Sequence, residues 1–383
     1  MKYLNIDETI LTKNGAIFTA KEIAGQPKLW IDIFEKIVVE KEEIQSYMKS
    51  ALKKTKKIIL TGAGTSGYIG YSIEGTVLRK TNIPTVSVAT THLVSHPKNY
   101  FNSSESILLI SFARSGNSPE SVAAVKLADE YSGECNHLII TCNSEGNLAK
   151  HSIKNNGYVF ILPPEADDKS LAMTGSYSGM LLAALLINDI TNINKLKKTV
   201  GKLALYGDLI LTQHLELIKK VAKLPFNRAV FLGSGPQYGT AMESHLKLQE
   251  LTDGEVICKN DSYLGFRHGP KAVVDENTLV VYYLSNMDDV LRYEKDLVEA
   301  MNDGKRPIAQ IGISEKSLKD VDIDELIVLS DNKTYVEEEY LSVSNIILGQ
   351  LLGFYKSLDK GLSPDSPSLS GAISRVVKGV TIY

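Results

Sequence analysis

Four residues in the second half of the chain have the types and spacing that proton-transfer chemistry needs: Glu243, Lys247, Glu250 and His268. The first three fall four and three residues apart, so a helix places both carboxylates and the amine on one face. They follow Ala229-Val-Phe-Leu-Gly-Ser-Gly-Pro-Gln-Tyr-Gly, which reads as a buried strand turning tightly into that helix. In an open α/β sheet such a helix begins at the carboxyl end of its strand, where these folds bind ligands. Carboxylates, an amine and an imidazole are the groups that general acid–base catalysis uses. The spacing is equally that of a solvated i,i+4 ion pair, and spacing alone leaves both readings open. His268 is likewise compatible with a histidine satisfied by hydrogen bonds in a turn.

Two glycine-rich turns lie earlier. Thr61-Gly-Ala-Gly-Thr-Ser-Gly closes one strand and Ala113-Arg-Ser-Gly-Asn-Ser-Pro-Glu closes another. Glycines at strand ends let main-chain N–H groups approach an anion, and the following helix adds its positive end. Gly64 sits in the first turn, Thr65, Ser66, Ser115 and Ser118 add hydroxyl donors, and Arg114 adds charge. Hydroxyls with few fixed cations suit a phosphate monoester. Gly62, Gly64 and Gly67 also satisfy G-x-G-x-x-G, but a dinucleotide site needs an acidic residue at the end of the next strand, and Val86-Ser-Val-Ala-Thr-Thr-His supplies none. The Gly-Lys-Ser/Thr of a P-loop is missing too. Asp168, Ser170 and Thr174 follow Pro163-Pro-Glu and read either as helix-capping groups or as residues facing a sugar. His92 and His96, near the end of the second strand, are further candidates for lining a pocket.

These residues need elements to hold them. Apolar residues at helical period from Thr19 to Lys54, including the only tryptophan, Trp30, predict a helical lead-in. Strands are expected at 58–61, 85–89, 106–112, 138–142 and 158–162, with helices through Arg79 and over 119–131. Long helices are then expected over 175–189 and 194–223. The second half repeats the plan, with strands at 229–232, 279–284, 308–313 and 326–329 and helices through Thr252, over 287–301 and from Val336 to about Lys360. This alternation is that of βαβ units around a parallel sheet. Aligning Leu60-Thr-Gly-Ala-Gly with Phe231-Leu-Gly-Ser-Gly, and Leu138-Ile-Ile-Thr with Pro307-Ile-Ala-Gln, gives a common offset of roughly 170 residues, the mark of two related domains in tandem.

Composition narrows the classes. The 383 residues, 43% hydrophobic, suffice for two domains with cores of their own. A net charge of -3 creates no field for nucleic acid or an anionic membrane surface. The longest apolar stretch, Met180 to Ile187, is too short for a bilayer, and no signal-peptide pattern opens the chain, so a cytoplasmic protein is expected. Cys135, Cys142 and Cys258 lack C-x-x-C spacing and the seven histidines lack H-E-x-x-H, so neither a disulfide framework nor a metal nor any other cofactor is expected.

Phe231-Leu-Gly-Ser-Gly-Pro-Gln-Tyr, Ala241-Met-Glu-Ser-His-Leu-Lys-Leu-Gln-Glu, Arg267-His-Gly-Pro and Val377-Lys-Gly-Val-Thr-Ile resemble, in order, the isomerase half of glucosamine-6-phosphate synthase, a member of the sugar isomerase (SIS) family. Thr19-Ala-Lys-Glu-Ile-Ala-Gly-Gln-Pro-Lys-Leu-Trp and Ser363-Pro-Asp-Ser-Pro-Ser resemble its tagatose-6-phosphate ketose/aldose isomerase branch, described as galactosamine-6-phosphate deaminases/isomerases. The resemblance implies two tandem SIS domains, flavodoxin-like three-layer αβα units with parallel sheets. It implies a helical segment over 1–55, a first domain over 56–195, a connecting helix over 196–225, a second domain over 226–355 and a tail over 356–383 that closes the active site.

By the same resemblance Gly64, Thr65, Ser66, Ser115 and Ser118, with Arg114 beside them, hold a sugar phosphate, and Glu250 moves a proton between the first two carbons. His268 assists ring opening, Lys247 and Glu243 set the charge around the base, and Lys378 closes the site. In the synthase the matching histidine comes from the neighbouring subunit, which implies at least a homodimer with a shared site. The chain departs from the family pattern where Ala113 replaces a phosphate-binding serine and Arg114 a glutamine. An opening at Met1-Lys2-Tyr3 leaves the expectation of no ammonia-feeding domain, and so of galactosamine 6-phosphate deaminated to tagatose 6-phosphate. The alternatives are an aldose–ketose isomerase without deamination, a fructosamine phosphate deglycase, and a module that senses sugar phosphate without turnover.

Overall fold

The computed structural model of the protein describes residues 1–154, 157–330, 334–375 and 380–383. A hairpin of β1 (Lys2–Tyr3) and β2 (Ile6–Asp7) precedes α1 (Glu8–Lys13), α2 (Ile17–Val39) and α3 (Lys41–Leu52). The helical lead-in is therefore chiefly α2 and α3. Trp30 is fully buried there, its indole N–H donating to Ser178 Oγ at 3.0 Å.

Next come β3 (Lys57–Thr61), α4 (Thr65–Thr81), β4 (Thr85–Ser87), α5 (Thr90–Ser95), β5 (Ser106–Ala113), α6 (Pro119–Tyr131), β6 (Glu134–Thr141), α7 (Asn147–Lys154), β7 (Tyr158–Ile161) and α8 (Gly175–Asn188). Then follow α9 (Lys197–Gln213), α10 (Leu215–Ala222), β8 (Arg228–Gly233), α11 (Pro236–Leu251), β9 (Ile257–Asp261), α12 (Tyr263–Phe266), β10 (Thr278–Tyr283), α13 (Asp288–Asn302), β11 (Ala309–Ser314), β12 (Glu325–Val328) and α14 (Glu338–Asp359).

Strands β3 to β7 form one five-stranded sheet and β8 to β12 another, ordered β4-β3-β5-β6-β7 and β9-β8-β10-β11-β12. Every pairing in both sheets is parallel. Numbered within each lobe, both orders are 2-1-3-4-5, the flavodoxin-like arrangement. The chain leaves the first strand toward one side and returns on the other, so in each lobe a crevice opens between the carboxyl ends of strands 1 and 3. In the first lobe α4 packs on α8 while α5, α6 and α7 pack together. In the second, α11 and α10 pack on α14, and α12 on α13. Helices thus cover both faces of each sheet, as parallel strands buried on both sides require.

The chain divides into two compact units. Lys28–Asp168, Gly175–Gly201 and Ser374–Tyr383 form the unit with the first sheet. Met1–Pro27, Lys169–Thr174 and Lys202–Ile373 form the unit with the second. The first core gathers Ile59, Ile107, Leu109 and Ile139 from adjacent strands with Val125 and Leu148 from the helices; the second gathers Val230, Val280 and Tyr282 with Leu297 and Met301.

Two expectations change. The single helix foreseen over 194–223 is a 3-10 segment, Ile190–Leu196, followed by α9 and α10, which break at His214. A strand that sequence reading missed, β9, pairs with β8 and completes the second sheet. It is an edge strand of Ile257-Cys-Lys-Asn-Asp with no buried residue, so no apolar run announces it. No helix among the described residues is long and apolar enough to cross a membrane.

Candidate functional site

Strands β3 and β5 pair side by side, Thr61 opposite Ser111, so their two serine-bearing turns flank the crevice of the first lobe. Gly64 immediately precedes α4 at φ +54°, a backbone that a side chain rarely tolerates. Gly62 is required for another reason: a Cβ there would lie 2.5 Å from the Ser66 carbonyl carbon. Thr65 and Ser66, in the first turn of this 17-residue helix, are buried at its positive end. In the second turn Gly116 has φ +65°, and Ser118 stands at the start of α6 with its hydroxyl 2.7 Å from that of Ser121. The half-buried Ser115 is anchored through its carbonyl, which accepts from Asn143 Nδ2 at 2.9 Å. Two hydroxyl-rich turns, each feeding a helix N-terminus at one crevice, make a cradle suited to an anion.

Arg114, next in the chain to that cradle, is buried, and burial pulls its pKa down against the nearby Asp168 and Asp167. Its guanidinium donates to the Arg375 carbonyl at 2.7 Å. Arg375 in turn donates through Nε to the Asp168 carbonyl and through Nη2 to Asp167 Oδ1, both at 2.9 Å. Arg114 thus holds the C-terminal tail, a role for which sequence spacing offers no signal. Asp168 caps α8, accepting from the N–H groups of Gly175 and Ser176 at 2.9 and 3.0 Å.

In the other unit α11 carries Glu243, Lys247 and Glu250 on one face. The Lys247 ammonium lies 3.2 Å from Glu243 Oε1 and 2.6 Å from Glu250 Oε2. Burial works against this charge, yet the two carboxylates outweigh it and the lysine pKa is raised. This is no solvated pair: Lys247 and Glu243 are fully enclosed, while the Glu250 side chain keeps 23% of its surface exposed. Of the two carboxylates, only Glu250 combines a fixed ammonium partner with access from outside. The face is set by close packing of α11 on α14. A Cβ on Gly349 would fall 2.5 Å from Ser244 Cβ, and one on Gly353 would fall 3.0 Å from the Lys247 carbonyl oxygen. His245, passed over by the spacing argument because i+2 points to a different face, is held below the usual histidine pKa mainly by burial.

The remaining candidates scatter. His268 lies exposed on the turn after α12. Ser170 is fully buried, with its hydroxyl on the Glu22 carboxylate, and the buried Thr174 offers its carbonyl to Gln350 Nε2 at 3.3 Å. His92 and His96 are exposed on and just after α5. Lys378 lies outside the described residues.

A family model for the SIS domain matches residues 51–187. D-galactosamine-6-phosphate deaminase AgaS of Shewanella sp. (strain ANA-3) is 39% identical over 378 residues, covering 97% of this chain and 93% of that protein. The chain belongs to the SIS family. Among solved structures, one from Clostridium novyi NT has a TM-score of 0.96 at 39% identity, covering 100% of this chain and 99% of that one. Tagatose-6-phosphate ketose/aldose isomerase from Escherichia coli has a TM-score of 0.87 at 36% identity, covering 96% of each chain. The two lobes are thus tandem SIS domains of an enzyme family that acts on sugar phosphates.

The second SIS lobe repeats the first turn of the cradle almost degree for degree. Gly235, before α11, has φ +51° and ψ -125°, against +54° and -127° at Gly64. Its crevice, however, is filled from within. The Ser285 N–H, just past β10, donates to Glu294 Oε2 at 2.7 Å, the Ser285 hydroxyl is bonded to the Glu338 carboxylate, and Asn286 Nδ2 donates to Glu315 Oε2 at 2.5 Å. Where the first lobe offers Thr65 and Ser66, the second has Pro236 and Gln237. Carboxylates repel an anion and hydroxyls donate to one, so of these two crevices the first is the better suited to an anion.

Proposed function

We propose that the chain is a galactosamine-6-phosphate deaminase/isomerase, releasing tagatose 6-phosphate and ammonia. The chemistry rests on one observation: a partly exposed carboxylate, Glu250, held by the buried ammonium of Lys247. The substrate class rests on the relatives named above, in keeping with the hydroxyl-lined turns of the first lobe. In the open-chain sugar, Glu250 takes the proton from the second carbon, leaving an enediol-type enolamine, and returns it to the first. The second carbon is then a ketimine. Water adds to it and ammonia leaves, so the net change is one water consumed and one ammonia released per hexosamine phosphate. Lys247, itself paired with Glu243, stays beside Glu250 and offsets its negative charge whenever the carboxylate is unprotonated. The reading extends to a cytoplasmic homodimer in which His268 reaches the site of the neighbouring subunit and assists ring opening, and Lys378 closes the site.

The test is ammonia release from galactosamine 6-phosphate, with glucosamine 6-phosphate alongside. Wild type turns over, and Glu250→Gln loses about 10²- to 10⁴-fold, the span a positioned general base supplies. A wild type that binds the sugar phosphate yet neither frees ammonia nor interconverts aldose and ketose would be a sensor instead.

A further inference from the structure

Away from the cradle, three side chains from three elements of the first lobe converge. Asp129 near the end of α6, His137 within β6 and His151 on α7 bring one ligand atom each to within 4.8 Å of one another. Both oxygens of a single carboxylate face imidazoles: Oδ1 lies 2.7 Å from His137 Nε2 and Oδ2 lies 2.6 Å from His151 Nε2. The rings stand edge-on at 90° with centroids 5.8 Å apart, so the two nitrogens approach the carboxylate from different directions. His137 is fully enclosed, whereas His151 and Asp129 keep 20% and 32% of their side-chain surface exposed. One wall is therefore rigid and the other open to an arriving ion and a water. We propose that these residues form a site for a first-row divalent transition ion, Zn²⁺ foremost, bound by two imidazoles and one carboxylate.

The donor set fits that class. Imidazole with carboxylate suits zinc, and Zn–N and Zn–O bonds of about 2.0 to 2.2 Å are reached by modest side-chain rotation. The sequence hides the site because its residues stand eight and fourteen apart, on different elements, and match no short metal motif. An outer partner is present as well. His137 Nδ1 faces Cys135 Sγ at 4.0 Å, and once Nε2 binds a metal, Nδ1 carries the proton and points it at that sulfur. Asp129 lies ten residues beyond Pro119, about 15 Å along α6 from the helix start that lines the cradle. At that distance the ion clips α7 to α6 and β6 and takes no part in sugar chemistry.

Full-length, tag-free protein stripped with EDTA is titrated with Zn²⁺ and, in parallel, with Co²⁺ followed by its visible absorption. Wild type takes up one ion per chain, gains thermal stability, and gives the visible bands of a low-coordinate cobalt site. His151→Ala and Asp129→Asn each weaken binding by at least ~100-fold, since even outer partners of a metal site contribute 10- to 100-fold. Both variants keep wild-type ammonia release, which shows that they fold. The proposal fails if wild type binds no stoichiometric ion, or if both variants bind as wild type does. The triad is then a carboxylate bridging two histidines through protons alone.

Discussion

Glu294 is the acid that the second lobe has to shelter, and replacing it with glutamine exposes what that shelter costs. Its side chain is fully buried, and burial lifts its pKa from 4.5 to about 7, with the Glu338 charge adding to the rise. The hydrogen bonds from the Ser285 N–H and the Ser234 hydroxyl offset only part of this. An acid whose pKa is higher folded than unfolded binds more protons in the native state. Its neutral form therefore supports stability that is fully present below about pH 4.5 and is lost as pH rises through about 7. At roughly 1.4 kcal/mol per pKa unit, the wild type loses about 2 to 3 kcal/mol between pH 5 and pH 8 through this one group. Glutamine keeps the acceptor for Ser285 and carries no titrating proton. Urea unfolding of wild type and Glu294→Gln at pH 5 and pH 8 reads the difference directly. The variant gains on the wild type by that amount as pH rises. Equal stability changes in both proteins would mean that Glu294 is ionised at little cost, and the account of a self-filled crevice would be wrong.

Two further outcomes follow from packing and from the tail. Gly349→Ala drives a methyl into Ser244, so α11 and α14 must part. A stability loss of about 1 to 3 kcal/mol is expected, with a fall in kcat because Lys247 and Glu250 ride on the displaced helix; urea unfolding and ammonia release measure the two, and a variant with wild-type values in both refutes the close-packing argument. Arg375→Ala removes the guanidinium from Asp167 and the Asp168 carbonyl, and hydrogen bonds to charged groups of about 1.5 to 3 kcal/mol correspond to roughly 10- to 100-fold faster amide exchange in the C-terminal peptide. Unchanged exchange would show that the tail is held elsewhere.

The parallel-sheet architecture was legible because strands buried on both faces carry continuous apolar runs, such as Ile107 to Ile110, and the glycine-rich turns mark where they end. What the periodicity could not show was structure made by long-range pairing. The half-exposed β9 has no pattern of its own and exists because β8 offers it an edge. The break at His214 falls inside a segment whose apolar spacing continues across it. Within the site, local spacing was enough to group Glu243, Lys247 and Glu250 on one face. Spacing could not say that Lys247 is sealed and Glu250 is not, because that depends on α14 arriving from a hundred residues further along the chain. The same limit hid the contact of Arg114 with Arg375, whose residues are distant in sequence and share no motif.

The duplicated lobes share a backbone turn but not the side chains it presents. Two copies of a strand–glycine turn–helix unit keep nearly identical backbone angles at Gly64 and Gly235, so backbone geometry alone does not select the anion. Selection comes from side chains. In the first lobe the turns present hydroxyls to the crevice. In the second the corresponding strand end is bonded to Glu294, Glu338 and Glu315, and the helix that starts there carries the Glu243–Lys247–Glu250 cluster instead. A buried ammonium needs counter-charges, and Lys247 has them on its own helix in Glu243 and Glu250. The crevice at the other end of that helix is filled by internal acid, of which Glu294 is partly protonated near neutrality. On the proposed function the two lobes divide the work accordingly: hydroxyl-bearing turns of the first suit the anionic end of the substrate, and α11 of the second supplies the carboxylate that moves the proton.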